Sequence, residues 1–142
     1  MNNQTLTIQQ AIDLAVRHHA AGELTKAKSL YQQVLQVSPN QPKALHLLGV
    51  IAHQVNNNDI AVDLIGKALA LKPDYAEAYN NLSNVLQAQG KLDDAVASYR
   101  KAIAVKPDYA EAYYNLGNVL QAQGNLDDAV ASYNKAVAIK PD

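Results

Sequence analysis

The stretch DYAEAYNNLSNVLQAQGKLDDAVASYRKAIAVKP, residues 74–107, is followed at once by DYAEAYYNLGNVLQAQGNLDDAVASYNKAVAIKP, residues 108–141. The two copies differ only at Asn80/Tyr114, Ser83/Gly117, Lys91/Asn125, Arg100/Asn134, Ile103/Val137 and Val105/Ile139. Pro39, Pro73, Pro107 and Pro141 fall 34 residues apart, and the rest of the chain is a looser version of the same unit. Aligned on the prolines, the units run approximately 8–41, 42–75, 76–109 and 110–142. A fixed period of this length marks an array in which each unit buries its apolar face against its neighbours rather than in one central core.

Each unit carries two helical patterns. In the third, Ala78, Tyr79, Leu82, Ser83 and Leu86 recur at three- and four-residue steps, as do Ala95, Val96, Tyr99, Ala102 and Ile103. Asp74 with Glu77 and Asp108 with Glu111 have the spacing of a capping box, so each first helix is expected to open there. The preceding Lys-Pro ends the helix before it, because proline disfavours helical geometry in the residue ahead of it. Gly90 and Gly124 stand at the turn between the two helices, where a left-handed residue is needed. The acid pairs Asp93, Asp94 and Asp127, Asp128 fall in the next first turn, where they complement the helix dipole.

Composition narrows the function. The net charge of −1 and interspersed signs give no basic footprint for nucleic acid or an anionic membrane. With no Cys there is no disulfide framework, thiolate nucleophile or Cys-based zinc site. The start, MNNQTLTIQQ, lacks the basic-then-apolar order of a signal peptide, and no apolar run is long enough to span a bilayer, so a cytoplasmic location is expected. No phosphate-cradling loop, metalloprotease His-Glu pair or nucleophile elbow is present, and neither an enzyme nor a cofactor or metal site is expected. The histidines at 18, 19, 46 and 53 read as solvent-facing side chains; His46 and His53, two turns apart on one helix, are too distant to chelate one ion directly.

Small residues at Gly49, Ser83 and Gly117, Ala at 27, 61, 95 and 129, Tyr31, Tyr99 and Tyr133, Ala at 68, 102 and 136 and the four spaced prolines together resemble the tetratricopeptide repeat family. The resemblance implies an all-α, right-handed α-solenoid of tandem helix-turn-helix repeats, about eight helices, forming a single domain over 1–142. It also implies a concave groove lined by the first helix of each repeat. Carried onto this chain, the groove takes Gln9, Ile12, Asp13, Val16 and His19 from the first repeat, and Lys43, His46, Leu47, Val50 and His53 from the second. The third supplies Glu77, Asn80, Asn81, Asn84 and Gln87, and the fourth Glu111, Tyr114, Asn115, Asn118 and Gln121. None of these is required by the packing pattern. Amides present both donors and acceptors, so a file of them can pair with a peptide backbone whatever its side chains. The Asn repetition also has a plain source in duplication of the whole unit.

Two family roles can be weighed. Co-chaperone members hold a chaperone's carboxylate terminus with a lysine and arginine clamp; here the matching positions hold Asn84 and Asn115, and only Lys43 is basic, so that role is not expected. The segments AIDLAVRHHAAGELTKAKSLYQQVL, ALHLLGVIAHQ and AEAYNNLSNVLQAQGKLDDAVASYRKAIAVKPD resemble the amino-terminal repeats of bacterial proteins similar to O-linked N-acetylglucosamine transferases. That resemblance implies a substrate-recruiting arm whose catalytic domain is not among these residues. The leading expectation is a non-catalytic scaffold that binds an extended segment of a protein partner.

The two ends of the array differ. The first repeat has Gln10, Arg17 and His18 where later ones have Ala78, Val85 and Leu86, polar substitutions that suit a terminal face. The last helix keeps Tyr133, Ala136, Val137 and Ile139 with no solvating helix after it, so the expectation is a piece of a longer array, or a homo-oligomer formed through the uncapped carboxyl-terminal repeat.

Overall fold

The computed structural model describes residues 6–141. Among them eight helices form in the order α1 (Ile8–Ala20), α2 (Leu24–Val37), α3 (Pro42–Gln54), α4 (Asn58–Leu71), α5 (Ala76–Ala88), α6 (Leu92–Val105), α7 (Ala110–Ala122) and α8 (Leu126–Ile139), with no strand. This is the expected all-α class of tandem helix-turn-helix repeats. The helices pack pairwise as α1/α2, α3/α4, α5/α6 and α7/α8. Contacts divide the chain into two compact units, Met1–Leu71 and Lys72–Asp142.

In the first unit the core gathers Ile12, Ala15, Ala27, Tyr31, Val34, Ala44 and Ile51 from α1, α2 and α3. The second unit repeats the scheme with Ala78, Val85, Ala95, Tyr99, Ala102, Ala112 and Val119, each buried almost completely. The alanines occupy the sites where two helices approach most closely, which is why a residue with no side chain beyond Cβ recurs there.

The turns between the paired helices are built as expected at Gly90 and Gly124, with φ of 77° and 82°. At the first of them Gly90 N–H donates to Gln87 O (2.9 Å) and Lys91 N–H to Leu86 O (2.9 Å), the paired bonds of a Schellman motif. In α3/α4 a non-glycine residue, Asn56, takes the same left-handed conformation at φ 65°.

The helix starts correct the sequence reading. Neither Asp74 nor Asp108 caps a helix; the N-caps are Tyr75 and Tyr109, and neither makes a side-chain cap bond. Lys72-Pro73-Asp74-Tyr75 instead closes a turn in which Tyr75 N–H donates to Lys72 O at 3.2 Å, and Tyr109 N–H does the same to Lys106 O at 3.1 Å. The proline enforces this turn, so the aspartate is taken up in it, one residue ahead of the cap position. Each turn is covered by its own lysine: Lys72 Nζ lies 4.7 Å above the Tyr75 ring and Lys106 Nζ 4.6 Å above that of Tyr109. The complete capping box is at α1, where Thr7 Oγ1 accepts from Gln10 N–H and Gln10 Oε1 from Thr7 N–H.

A candidate peptide-binding surface

The first helices of the repeats place their candidate residues in columns 34 positions apart. Gln9 and Lys43 in the first unit, and Glu77 and Glu111 in the second, are exposed. The next column behaves otherwise. Ile12, His46 and Asn80 are 1%, 3% and 1% exposed, whereas Tyr114 is 55% exposed. His46 is therefore not the solvent-facing histidine expected, and Asn80 is a buried amide rather than a groove residue. Burial in this column is set by what lies over it and not by the period of its own helix, so the pattern within one repeat could not reveal it.

In the first unit, polar residues of α1 and α3 pair locally. Gln9 Nε2 donates to Asp13 Oδ1 at 2.9 Å, and the His19 ring lies 2.6 Å from Gln54 Oε1. His53 Nδ1 stands 2.8 Å from Asn58 Oδ1. At the α1/α2 turn, His18 Nδ1 and Lys26 Nζ lie 3.1 and 3.0 Å from the Glu23 carboxylate, and their hydrogen bonds, His18 first, hold its pKa below the ordinary value. Leu47 and Val50 are half-buried, and Val16 stays exposed.

In the second unit, α5 and α7 touch and bring the amides together, with Asn115 Nδ2 donating to Asn80 Oδ1 at 3.4 Å. Asn81, Asn84, Gln87, Asn115 and Asn118 are half-buried and Gln121 is exposed. The tyrosines of the second helices reach this file. Tyr99 Oη donates to Asn84 Oδ1, with Gln87 Oε1 at 3.4 Å. Tyr133 Oη donates to Asn118 Oδ1 at 2.6 Å, with Gln121 Oε1 at 3.0 Å.

Asn84 and Asn118 are therefore not independent of packing, contrary to the sequence reading. Each is the acceptor that a tyrosine hydroxyl needs at the base of the surface. The signal for this lay in the sequence as a 15-residue offset: Tyr99 with Asn84 and Tyr133 with Asn118, against Ile65 with Val50. Tyr31 has Val16 at that offset, so the pairing is not a rule of every repeat. Burial raises the Tyr99 hydroxyl pKa well above its usual value, with the Glu111 carboxylate adding to the effect.

The side chain opposite each tyrosine must be small. A Cβ on Gly117 would stand 2.7 Å from the Tyr133 ring. Beside these amides, Tyr114 and Tyr133 form a tilted aromatic pair, centroids 5.7 Å apart. Among the described residues no group of three or more His, Asp or Glu side chains could hold a metal ion, and no helix is long and apolar enough to cross a membrane.

Three family profiles match consecutive parts of the chain: tetratricopeptide repeat over residues 18–84, TPR repeat over 84–124 and tetratricopeptide repeat over 110–142. The chain is built of tetratricopeptide repeats. Among solved structures, that of MamA superposes with a TM-score of 0.85 at 25% identity, covering 95% of this chain and 79% of that one. A thermophilic TPR protein of Thermus thermophilus gives 0.84 at 25% identity, covering 95% and 75%. MamA of Desulfovibrio magneticus RS-1 gives 0.83 at 17% identity, covering 95% and 76%, and shows the fold alone. No curated protein matches.

Proposed function

We propose that the chain is a non-catalytic protein-interaction scaffold that binds an extended segment of a partner across the surface formed by α5 and α7. The observation that carries this reading is the gathering of half-buried amides there. Each Asn or Gln has four hydrogen-bonding positions, and the tyrosine bond uses one of those on Asn84 and one on Asn118. Amides pinned at one atom by a tyrosine hydroxyl are preorganised, so little side-chain entropy is lost when a ligand backbone pairs with the remaining positions. Glu77 and Glu111 at the exposed edge favour a segment carrying positive charge beside its backbone contacts.

Random peptides displayed on phage and selected on the protein supply the test. Glu77, Tyr114 and Gln121 are replaced together by Ala; all three lie on the helix surface, so helicity should persist by circular dichroism. Affinity for the selected peptides should fall at least about tenfold, or 1.4 kcal/mol. Equal binding to the variant would falsify the assignment of this surface. A substrate-recruiting arm of a glycosyltransferase would use the same surface, and no residue of this chain favours that reading over an independent scaffold.

A further inference from the structure

Helices α6 and α8 both pack on α7 and leave a groove of about 430 Å³ between them. Tyr113 and Leu116 of α7 form its floor, with Ile103 and Arg100 on the α6 side and Ala131 and Lys135 on the α8 side. Leu116 is buried, Tyr113 is half-buried and both cations are exposed. By helix register Tyr113 and Leu116 lie across α7 from Asn115 and Asn118, so this groove is separate from the amide file.

Among the described residues neither Arg100 nor Lys135 enters a salt bridge, and no acid borders the groove. The residues three and four positions away from each cation on its own helix are uncharged as well. Two like charges therefore flank one groove without a local counter-ion. The first unit has no such pair: the positions of Arg100 and Ala131 hold Gln32 and Asp63, and Asp63 stands four residues before Lys67, the counterpart of Lys135. Arg100 is also one of three positions at which α6 departs from its near-copy α8, where Asn134 replaces it. Duplication of the unit thus does not account for the pair. Nor does the opening depend on a further repeat, because on α6, with α7 packed against it, Ala97 and Lys101 stay exposed at the positions of Ala131 and Lys135.

We infer that this groove binds a short acidic segment of a protein partner. One carboxylate of the segment sits between Arg100 and Lys135, and a neighbouring leucine or aromatic side chain lies on Tyr113 and Leu116. Charge complementarity selects the acid, and the apolar floor strengthens its pairing by keeping water from one side. A nucleic acid does not match the groove. Phosphates along a strand would meet Asp93, Asp94, Asp127 and Asp128, which stand about two turns nearer the start of the same helices. A segment with a local acid avoids them.

The test selects random phage-displayed peptides on the whole protein and sorts them with two variants. Arg100→Asn combined with Lys135→Gln removes both charges at exposed sites, and asparagine already stands at the equivalent of Arg100 in α8. Peptides carrying Asp or Glu beside Leu or an aromatic residue should bind this variant at least about tenfold more weakly, and the variant with Ala at Glu77, Tyr114 and Gln121 equally well. Arg100→Lys with Lys135→Arg should keep affinity within about threefold, because charge is the determinant, and affinity should fall with added salt. A selected peptide, made synthetically, should move the amide resonances of Tyr113, Ser132 and Lys135 saturably. Selection that returns no acidic peptide dependent on the two charges overturns the proposal, as does equal loss on both variants. So does inorganic phosphate that moves these resonances where the peptides do not, which would assign the groove to a free anion. Self-association in sedimentation velocity that the double variant abolishes would overturn it too, by assigning the groove to a second copy.

Discussion

At the level of single residues, the tyrosine-amide pairs join the packing of the repeat to its candidate function. Tyr133 Oη donates to Asn118 Oδ1 from a half-buried ring, so Tyr133 and Asn118 are expected to act as one unit. Tyr133→Phe should lower the stability of the folded chain by about 1 kcal/mol. Tyr133→Ile combined with Asn118→Val, the pair that Ile65 and Val50 present in the second repeat, should lose less than the sum of the single changes, by about 0.5 kcal/mol or more. Urea midpoints of the two singles and the double check this, and strict additivity would dissolve the coupling. The close approach at Gly49 gives a second test. An added Cβ would meet Ile65 Cγ1 at 2.6 Å and Ala61 O at 3.3 Å, and Ile65 is fully buried. Gly49→Ala should therefore destabilise by about 1–3 kcal/mol, and a change near zero would show that the second repeat yields. The need for small residues at 49, 83 and 117 was legible in the sequence. The engagement of Asn84 and Asn118 was missed because a 15-residue offset crosses the turn between two helices, beyond the reach of one helix's periodicity.

For whole helices and turns, most of the architecture could be read directly. Proline spacing, the alanine columns and Gly90 and Gly124 locate the helices to within a residue or so. The error lay in the caps, because an Asp-x-x-Glu spacing was read without the turn that Lys-Pro imposes on the aspartate. A difference in mutational effect follows. Thr7→Ala removes a formed cap bond and should cost about 0.5–2 kcal/mol, whereas Asp74→Ala removes none and should cost less than about 0.5 kcal/mol. Equal losses in thermal or urea unfolding would restore the capping role to Asp74. At the α3/α4 turn, Asn56 holds a left-handed φ that Gly22, Gly90 and Gly124 supply elsewhere. Asn56→Gly should be neutral or stabilising by a few tenths of a kcal/mol, since the relief of strain is partly offset by the freer unfolded chain.

Across the molecule, the column of Ile12, His46, Asn80 and Tyr114 shows the limit of reading one repeat at a time. Four equivalent positions hold four chemistries, and three of them are buried. A repeat sequence states what its helix offers, while the neighbour decides whether that side chain meets water. The tyrosines ahead of the helices carry the same dependence and give it a measurable form. Burial, with the nearby carboxylate of Glu77 for Tyr75 and of Glu111 for Tyr109, pushes both hydroxyls up to about 12 from the ordinary 10.0, and Tyr99 is raised also. A raised folded-state pKa on a group that is neutral when protonated stabilises the fold fully below the unfolded value. Between the two values the unfolded chain has released its protons and the folded chain has not, so stability falls as pH rises from about 10 towards 12. The urea midpoint should accordingly drop between about pH 10 and pH 12, a window bounded by the unperturbed and the folded-state tyrosine values. Part of the phenolate absorbance should appear only with unfolding. Tyr109→Phe should make the midpoint less sensitive to pH in that window, because its ring still fills the site beside Asn80 but no longer titrates. An unchanged pH slope in the variant would mean that α7 does not shelter that hydroxyl.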